Sequence, residues 1–467
     1  MSANVTNADW AAVLSIAVLG ATGLAVLVAD LLARTFVRRY IAIAIAMIGI
    51  IAAGAIVFAQ YGTHYSAFGG AFVVDYASVL FQGIVLLGAL GSVILYGAIG
   101  EERRIAGALA LMLWSACGAM LMSGAGNLMT IFLGLELLSL ALYALCGIAE
   151  RAGAHEAALK YLILSSTATG FLLYGMGLLF GATGSVALSA LSNPALATNP
   201  IFWTGVGLFF VGIAFKLSLV PFHTWAPDVY EGAPLPVTAF MSVATKAGVL
   251  AVLVRVFLWS LPSQHVSDML LPMWIVAGIS MIVGNVGMLA QRDLKRMLAY
   301  SGIAQIGYIL AALAGGSAEG FNAALYYFAA YSFMNLGAFA VAAMLSGDRE
   351  EGSVIANYSG LGYRRPWAAL AMTVFLLAMA GLPPTAGFLG KVFILRSSVE
   401  TGYVWLAALL IVGTAISLYA YGRIVRAMYD RSTHPVPAAK PFVPLAALSA
   451  AICAIAVIAL TFYPFSR

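Results

Sequence analysis

The sequence predicts an all-α integral membrane protein that crosses the bilayer about 14 times. Hydrophobic residues make up 63% of the 467 positions and charged residues only 9%, whereas roughly 25% of residues are charged in an ordinary soluble chain. Apolar runs of about 20 residues recur along the whole length, and each is long enough to cross a bilayer as a helix. These runs lack the alternation that is typical of a transmembrane β-barrel, so helices are expected.

The breaks between the apolar runs define the individual helices and four regions of the chain. Three N-terminal helices occupy 1–102, helices four to eight occupy 103–262, helices nine to thirteen occupy 263–430, and a C-terminal helix fourteen occupies 431–467. The first nine residues contain no Lys or Arg, so no signal peptide is expected. The predicted spans lie near residues 10–32, 41–60, 72–98, 105–122, 127–148, 158–181, 202–230, 236–258, 270–290, 297–315, 321–345, 366–395, 403–427 and 441–463.

The distribution of basic residues supports this set of spans and orients it. Cytoplasmic loops of membrane proteins are enriched in Lys and Arg, and with the N-terminus outside this alternation holds to the end of the chain. Both termini are therefore expected on the outer, periplasmic side of a bacterial inner membrane. Three basic residues then lie at outer ends (Arg255, Arg396 and Arg467), and 17 lie in cytoplasmic turns: Arg34, Arg38, Arg39, Arg103, Arg104, Arg151, Lys160, Arg292, Lys295, Arg296, Arg349, Arg364, Arg365, Arg423, Arg426, Arg431 and Lys440.

Three lysines and one glutamate remain inside the predicted spans. Lys216 and Lys391 fall in the seventh and twelfth spans, while Glu136 and Lys246 lie near the middles of the fifth and eighth. Ionisable residues within a membrane are costly and usually face a protein interior or a water-filled cavity. For each residue taken alone, a snorkelling lysine or a static hydrogen bond to the glutamate is an alternative.

The identity of these residues indicates proton chemistry. The buried cations are all lysines, and a lysine can exchange its proton near neutral pH because burial can lower its pKa by several units, whereas an arginine is effectively always protonated. Burial moves the pKa of a glutamate the opposite way unless a cation compensates it. Glutamate and lysines along the bilayer midplane therefore have the composition of a proton relay.

Prolines interrupt the two longest spans near these lysines. Pro221 follows Lys216 by five residues, and Pro383 and Pro384 precede Lys391. Proline removes a helical hydrogen bond, and unpaired backbone at membrane depth is tolerated only where protein or water satisfies it. Discontinuous helices that line a hydrated site are predicted, and a simple kink is the alternative at each. Because the breaks lie five helices apart, helices 4–8 and 9–13 are expected to form two inverted repeats.

The remaining candidates for chemistry are few. His223 can join a relay through its near-neutral pKa, or it can be a structural histidine. Cys117, Cys146 and Cys453 lie far apart in apolar runs, without a CxxC pattern, which argues against iron–sulfur or zinc ligation. The short glycine clusters lack the strand–turn–helix context of a nucleotide site. The chain is therefore expected to bind no cofactor itself.

Five motifs resemble the N subunit of bacterial NADH:quinone oxidoreductase, respiratory complex I. They extend over most of the chain and read LGLELLSLALYAL at 133–145, HEAALKYLILSS at 155–166, AFKLSLVPFHTWAPDVYEGAPLPVTAF at 214–240, QRDLKRMLAYSGIAQIGY at 291–308 and GLPPTAGFLGKVFIL at 381–395. The related M subunits of the same complex usually carry Glu where this chain has Lys391.

The resemblance implies a role for each candidate residue. Glu136 would pair with Lys216, Lys246 would be the central relay and Lys391 the station toward the outer exit. Lys160, at the cytoplasmic start of helix six, would assist proton entry, or it is an ordinary loop lysine. FMN, iron–sulfur clusters and quinone would belong to partner subunits, and the partners would include the other antiporter-like membrane subunits.

Three functions are compatible with these patterns. The leading hypothesis is a proton-translocating membrane subunit of NADH:quinone oxidoreductase, although related complexes that use another electron donor have similar subunits. The second is a subunit of a multisubunit cation/proton antiporter, in which transport would not depend on NADH oxidation. The third is a non-pumping scaffold whose buried charges fix the helices, which the cost of four midplane ionisable groups disfavours.

Overall fold

The computed structural model describes residues 6–33, 37–99, 104–262, 266–346, 353–431 and 443–462. The described part of the chain is built almost entirely from α-helices. These are α1 (Asn7–Leu32), α2 (Arg38–Ala59), α3 (Tyr76–Ile99), α4 (Ile105–Ser123), α5 (Leu128–Cys146), α6 (Ala152–Thr183), α7 (Pro200–Lys216), α8 (Trp225–Gly232), α9 (Leu235–Phe240), α10 (Lys246–Leu253), α11 (Val266–Leu289), α12 (Leu294–Leu313), α13 (Ala318–Leu345), α14 (Leu361–Arg364), α15 (Pro366–Ala380), α16 (Ala386–Glu400), α17 (Val404–Met428) and α18 (Pro444–Phe462).

Among the described residues, 12 helices are long and apolar enough to cross a membrane. One of them runs continuously over Leu235–Leu258, because a turn of π-helix at Met241–Thr245 joins α9 to α10 and a second at Val254–Leu258 extends α10. The 12 helices fall at predicted spans one to six, eight to eleven, thirteen and fourteen. The predicted class, an all-α multi-span membrane protein, is confirmed, while the exact count of 14 and the inverted repeats stay predictions.

The seventh and twelfth predicted spans are each divided into two helices. In the seventh, α7 ends at Lys216 and α8 begins at Trp225. In the twelfth, α15 ends at Ala380 and α16 begins at Ala386, with the Thr385 side chain capping the new helix. The peptide bonds Val220–Pro221 and Pro383–Pro384, which lie in these two interruptions, are both cis. The chain is therefore non-helical for a few residues next to two of the candidate lysines.

A short β-hairpin was not expected from the sequence. The strands β1 (Tyr65–Ala67) and β2 (Phe72–Val74) pair antiparallel, and Tyr65 lies opposite Val74. The third predicted span began at residue 72, so it included β2 as the start of a helix. The apolar run is continuous there, and hydrophobicity alone does not separate a short strand from the first turn of a helix.

The chain forms two compact units. The first contains 1–93, 101–217 and 232–269, and the second contains 94–100, 218–231 and 270–467. Within the first unit, α6 and α7 approach closely because Gly175 and Gly205 face each other, and a Cβ on Gly175 would lie 2.7 Å from the Gly205 carbonyl oxygen. Small residues at such contacts allow helix backbones to pack directly in a membrane. This packing brings Lys216 of α7 against α6.

The second unit is organised around α12 and α13. These two helices are buried over most of their length, and α13 packs against α12, α15, α16 and α18. Because α16 also packs against α12 and α17, a side chain on α16 can be enclosed by protein on several sides. Lys391 lies on this helix.

Candidate functional site

Lys216 is the last residue of α7 and is buried, with 5% of its surface exposed. Its ammonium donates hydrogen bonds to the hydroxyls of Ser139 on α5 and Ser165 on α6, both at 2.6 Å. An isolated buried charge is expensive, whereas hydrogen bonds to the charged form offset that expense. Two serines from two different helices therefore hold this ammonium at the end of α7.

Two tyrosine rings complete the surroundings of Lys216. The ammonium lies 5.2 Å from the ring centre of Tyr161 and 5.7 Å from that of Tyr143, distances at which the face of an aromatic ring attracts a cation. The Tyr143 hydroxyl donates to Ser165 at 2.7 Å. Ser165 thus accepts from both the lysine and the tyrosine, which makes a short hydrogen-bonded chain.

Glu136 lies on α5, one helical turn before Ser139, and is half-buried. It is close enough to Lys216 to act on it electrostatically. Its Oε1 atom, however, is buried and accepts no hydrogen bond from the described residues. The atoms that contact the Lys216 ammonium are serine hydroxyls rather than a carboxylate oxygen. The predicted pairing of the two residues is therefore electrostatic in this structure, without a direct hydrogen bond.

Lys246 has different surroundings from the other two lysines. It follows the π-helical turn Met241–Thr245 directly, and every residue over 235–257 is buried inside the protein. Among the described residues, no partner forms a hydrogen bond or ion pair with its ammonium. A lysine in a helix that is buried all round cannot snorkel to a lipid interface. Turns of π-helix are also frequent at functional sites.

Lys391 is enclosed in the second unit, with 4% of its surface exposed. Its ammonium donates to the carbonyl oxygen of Ala380 at 2.9 Å and to the Thr414 hydroxyl at 3.2 Å. Ala380 is the last residue of α15, so its carbonyl has no partner within the helix. The C-terminal end of a helix also attracts a cation through its dipole. The break after α15 therefore creates the binding position for this ammonium.

The backbone turn after α15 depends on a glycine. Gly381 has φ +84°, in the left-handed region that side chains rarely adopt, and a Cβ placed there would lie 2.8 Å from Cδ of Lys391. A residue with a side chain would both strain the turn and displace the lysine. The glycine before the proline pair thus has a physical reason.

The remaining candidate residues lie outside the surroundings of Lys216 and Lys391 described above. His223 is half-buried in the loop between α7 and α8, and its Nδ1 atom has no hydrogen-bond partner among the described residues. Lys160 lies in the third turn of α6 with 41% of its side chain exposed, and it pairs with Glu156 at 2.8 Å. Pro221, Pro383 and Pro384 lie in the two non-helical segments, and all three are exposed. Their roles stay predictions.

A buried ion pair in the first unit was not expected from the sequence. Arg255 was assigned to an outer helix end, yet it is 6% exposed and binds both carboxylate oxygens of Asp75 at 2.8 and 2.9 Å. Its Nε atom donates to the Ser123 carbonyl at 2.8 Å. Lys295, which was counted as a cytoplasmic residue, is also buried, with 2% exposed. Hydropathy cannot detect such burial near the end of a helix.

The described residues contain no group of three or more His, Cys, Asp or Glu side chains that could hold a metal ion. The three cysteines are buried and unpaired. The surroundings of Lys216 and Lys391 instead combine an ammonium group with adjacent hydroxyls. An ammonium group can release and accept a proton without any change in redox state. The chemistry supported by these side chains is proton exchange inside the protein.

Comparisons with known proteins agree with this chemistry. Residues 125–417 match the family model described as NADH:quinone oxidoreductase/Mrp antiporter, transmembrane. The chain is 41% identical over 419 residues to NADH-quinone oxidoreductase subunit N of Trichlorobacter lovleyi, and the aligned region covers 88% of this chain and 86% of the relative.

Solved structures show the same fold over nearly the whole chain. A chain of respiratory complex I from Thermus thermophilus with bound aureothin is 33% identical, with a TM-score of 0.82, and the match covers 96% of this chain and 97% of that one. A chain of the Mrp complex from Dietzia gives a TM-score of 0.83 at 21% identity, covering 98% of this chain and 95% of that one. The second likeness shows the fold alone.

Proposed function

We propose a function that proceeds from one premise: the chain belongs to the N subunits of NADH-quinone oxidoreductase, within the NADH:quinone oxidoreductase/Mrp antiporter family. The chain acts as a proton-translocating membrane-arm subunit of a bacterial respiratory complex I. Its partners transfer electrons from NADH to quinone, and this subunit uses the released energy to move protons. The observation that carries the proposal is the burial of Lys216, Lys246 and Lys391 inside apolar helices.

The proposed relay contains four residues with different tasks. Glu136 and Lys216 form an electrostatically coupled pair, Lys246 receives the proton next, and Lys391 releases it toward the outer side. Lys160 and His223 contribute at the entry and beside the first break. Retaining buried charges is costly, and a purely structural role would be served as well by apolar residues of similar volume.

The proposed setting follows from the family and from the pattern of charges. The chain lies in the bacterial inner membrane with both termini on the periplasmic side, as the positive-inside pattern indicates. The other antiporter-like subunits are its membrane partners. FMN, iron–sulfur clusters and the quinone site are assigned to partner subunits, as membership of the subunit N family implies.

A cation/proton antiporter is the second candidate function. The matching family model is described for Mrp antiporters as well as for NADH:quinone oxidoreductase, but the relatives that share about two fifths of their residues with this chain are named as subunit N. Substitution of Lys391 can distinguish the two functions, because an antiporter would exchange sodium or potassium for protons without NADH.

Replacing Lys391 with alanine is expected to remove most NADH-driven proton transport. Inverted membrane vesicles from wild-type and Lys391→Ala cells would be compared for NADH-driven acidification and NADH:quinone turnover, with assembly checked on a native gel. The control is Arg396→Ala, which removes an exposed cation from the same helix. Unchanged acidification in the assembled Lys391→Ala complex would contradict the relay. Loss of sodium- or potassium-driven exchange alone would favour the antiporter.

Gly381→Ala is expected to reduce the protons moved per NADH severalfold while the complex still assembles. The substitution forces an unfavourable φ that costs about 1–2 kcal/mol, and its methyl group pushes on the Lys391 side chain. Gly402→Ala is the matched control, since Gly402 has φ +87° but nothing within 4 Å of an added Cβ. Equal losses in both variants would mean that backbone strain, rather than contact with the lysine, is responsible.

A further inference from the structure

We propose that Tyr308 is a positioning residue that holds the Lys391 ammonium at the end of α15, an inference that rests on the proposed function. Tyr308 lies on α12 and is fully buried. The Lys391 ammonium lies 4.8 Å from its ring centre, closer than either ring at Lys216. The attraction between a cation and an aromatic face is stronger at a buried site than at an exposed one.

The Tyr308 ring is itself held in place by the residues around it. Its hydroxyl accepts a hydrogen bond from Nδ2 of Asn285 on α11 at 2.7 Å, and the same amide donates to the Met281 carbonyl at 2.6 Å. Asn285 is fully buried. A ring that is anchored at its hydroxyl end cannot turn away from the ammonium without breaking a buried hydrogen bond, which is costly.

Helix α17 supports both ends of this arrangement with adjacent residues. A Cβ on Gly413 would lie 2.6 Å from Asn285 Nδ2 and 2.7 Å from the Tyr308 hydroxyl, so the glycine leaves room for their bond. The next residue, Thr414, accepts the hydrogen bond from Lys391 and also interacts with Tyr308. The ring, the hydroxyl and the carbonyl of Ala380 therefore surround the ammonium from three helices.

The same construction occurs at the other broken helix. Lys216 also lies against tyrosine rings, and Ser165 is shared between the lysine and the Tyr143 hydroxyl. Within the described part of the chain, Lys246 has neither a ring nor a hydroxyl at its ammonium. A tyrosine ring and a neighbouring hydroxyl thus accompany each of the two lysines that lie beside a broken helix. We infer that it fixes their ammonium groups where the backbone is interrupted.

The test compares Tyr308→Leu, which keeps an apolar filler but loses the aromatic face, with Tyr308→Phe, which keeps the ring and loses the hydroxyl. The assembled complex would be treated without NADH with a membrane-permeant amine-acylating reagent. Mass spectrometry would then give the labelling of Lys391 relative to Lys246 in the same chain. Loss of the ring should raise this ratio about fivefold or more, while the Phe variant, which loses only the anchor to Asn285, should raise it clearly less.

Proton transport in the same preparations separates this inference from the proposed function. We expect Tyr308→Leu to lower the protons moved per NADH severalfold, and Tyr308→Phe to lower it clearly less. An unchanged labelling ratio in Tyr308→Leu, or equal losses of transport in both variants, would overturn the role of the ring. If Lys391→Ala transports normally, the relay itself fails and the inference fails with it. If only Lys391→Ala loses transport, the relay stands and the role of Tyr308 is refuted.

Discussion

Alanine in place of Lys246 is expected to lower NADH-driven proton transport at least about tenfold, since a positioned proton-transfer group typically contributes 10²–10⁴-fold. Lys246 lies in a helix that is buried all round, and no described residue hydrogen-bonds to its ammonium. Removing the side chain therefore leaves no broken ion pair behind. The complex should assemble, and the loss should appear as fewer protons moved per NADH in inverted vesicles.

Lys246→Arg tests whether proton release, rather than positive charge, is what matters. An arginine remains protonated under all relevant conditions, so it keeps the charge but cannot hand on a proton. We expect this variant to transport nearly as poorly as Lys246→Ala. Wild-type transport by an assembled Lys246→Arg complex would show that a fixed cation suffices and would remove this residue from the relay.

The three lysines differ in how firmly they are held. Lys216 and Lys391 are bound by hydroxyls or a helix-end carbonyl and lie against tyrosine rings. Lys246 has none of these contacts in the described part of the chain. Of the three ammonium groups, that of Lys246 therefore has the fewest fixed partners among the described residues.

Most of the fold could be predicted because hydrophobicity carries most of the information in a membrane protein. Runs of apolar residues located the long helices, since backbone groups in lipid must be paired internally. Strand β2 was wrongly included in the third span because it is apolar as well. The π-helical turns around α10 could not be predicted, because they change the backbone geometry without changing the apolar composition.

The candidate site was predictable in part. Lysines inside apolar runs are conspicuous, and the prolines indicated where the helices end. Ser139 and Tyr143 follow Glu136 by three and seven residues, so helical spacing would have placed all three on one face of α5. The partners of Lys391 gave no such signal, because Tyr308, Thr414 and the Ala380 carbonyl come from separate helices. Such contacts arise from tertiary packing, which spacing along one helix does not reveal.

Glu136→Gln is expected to remove most NADH-driven proton transport, although Glu136 accepts no hydrogen bond from the Lys216 ammonium. A nearby opposite charge favours the charged form of a lysine, so the carboxylate can act on the Lys216 ammonium across the gap. Glutamine has nearly the same shape and no charge. The loss should therefore report electrostatic coupling, measured as protons moved per NADH in vesicles with assembled complex.

Glu136→Asp distinguishes coupling through space from a direct ion pair. The shorter side chain keeps the charge but withdraws it by one methylene group, which would break a hydrogen-bonded pair and only weaken an interaction across a gap. Because Ser139 and Ser165 hold the Lys216 ammonium at 2.6 Å without the carboxylate, Glu136→Asp should retain most of the transport that Glu136→Gln loses. Equal losses in the two variants would mean that the carboxylate must touch the lysine during turnover, and that the serine-bound arrangement is one of two states.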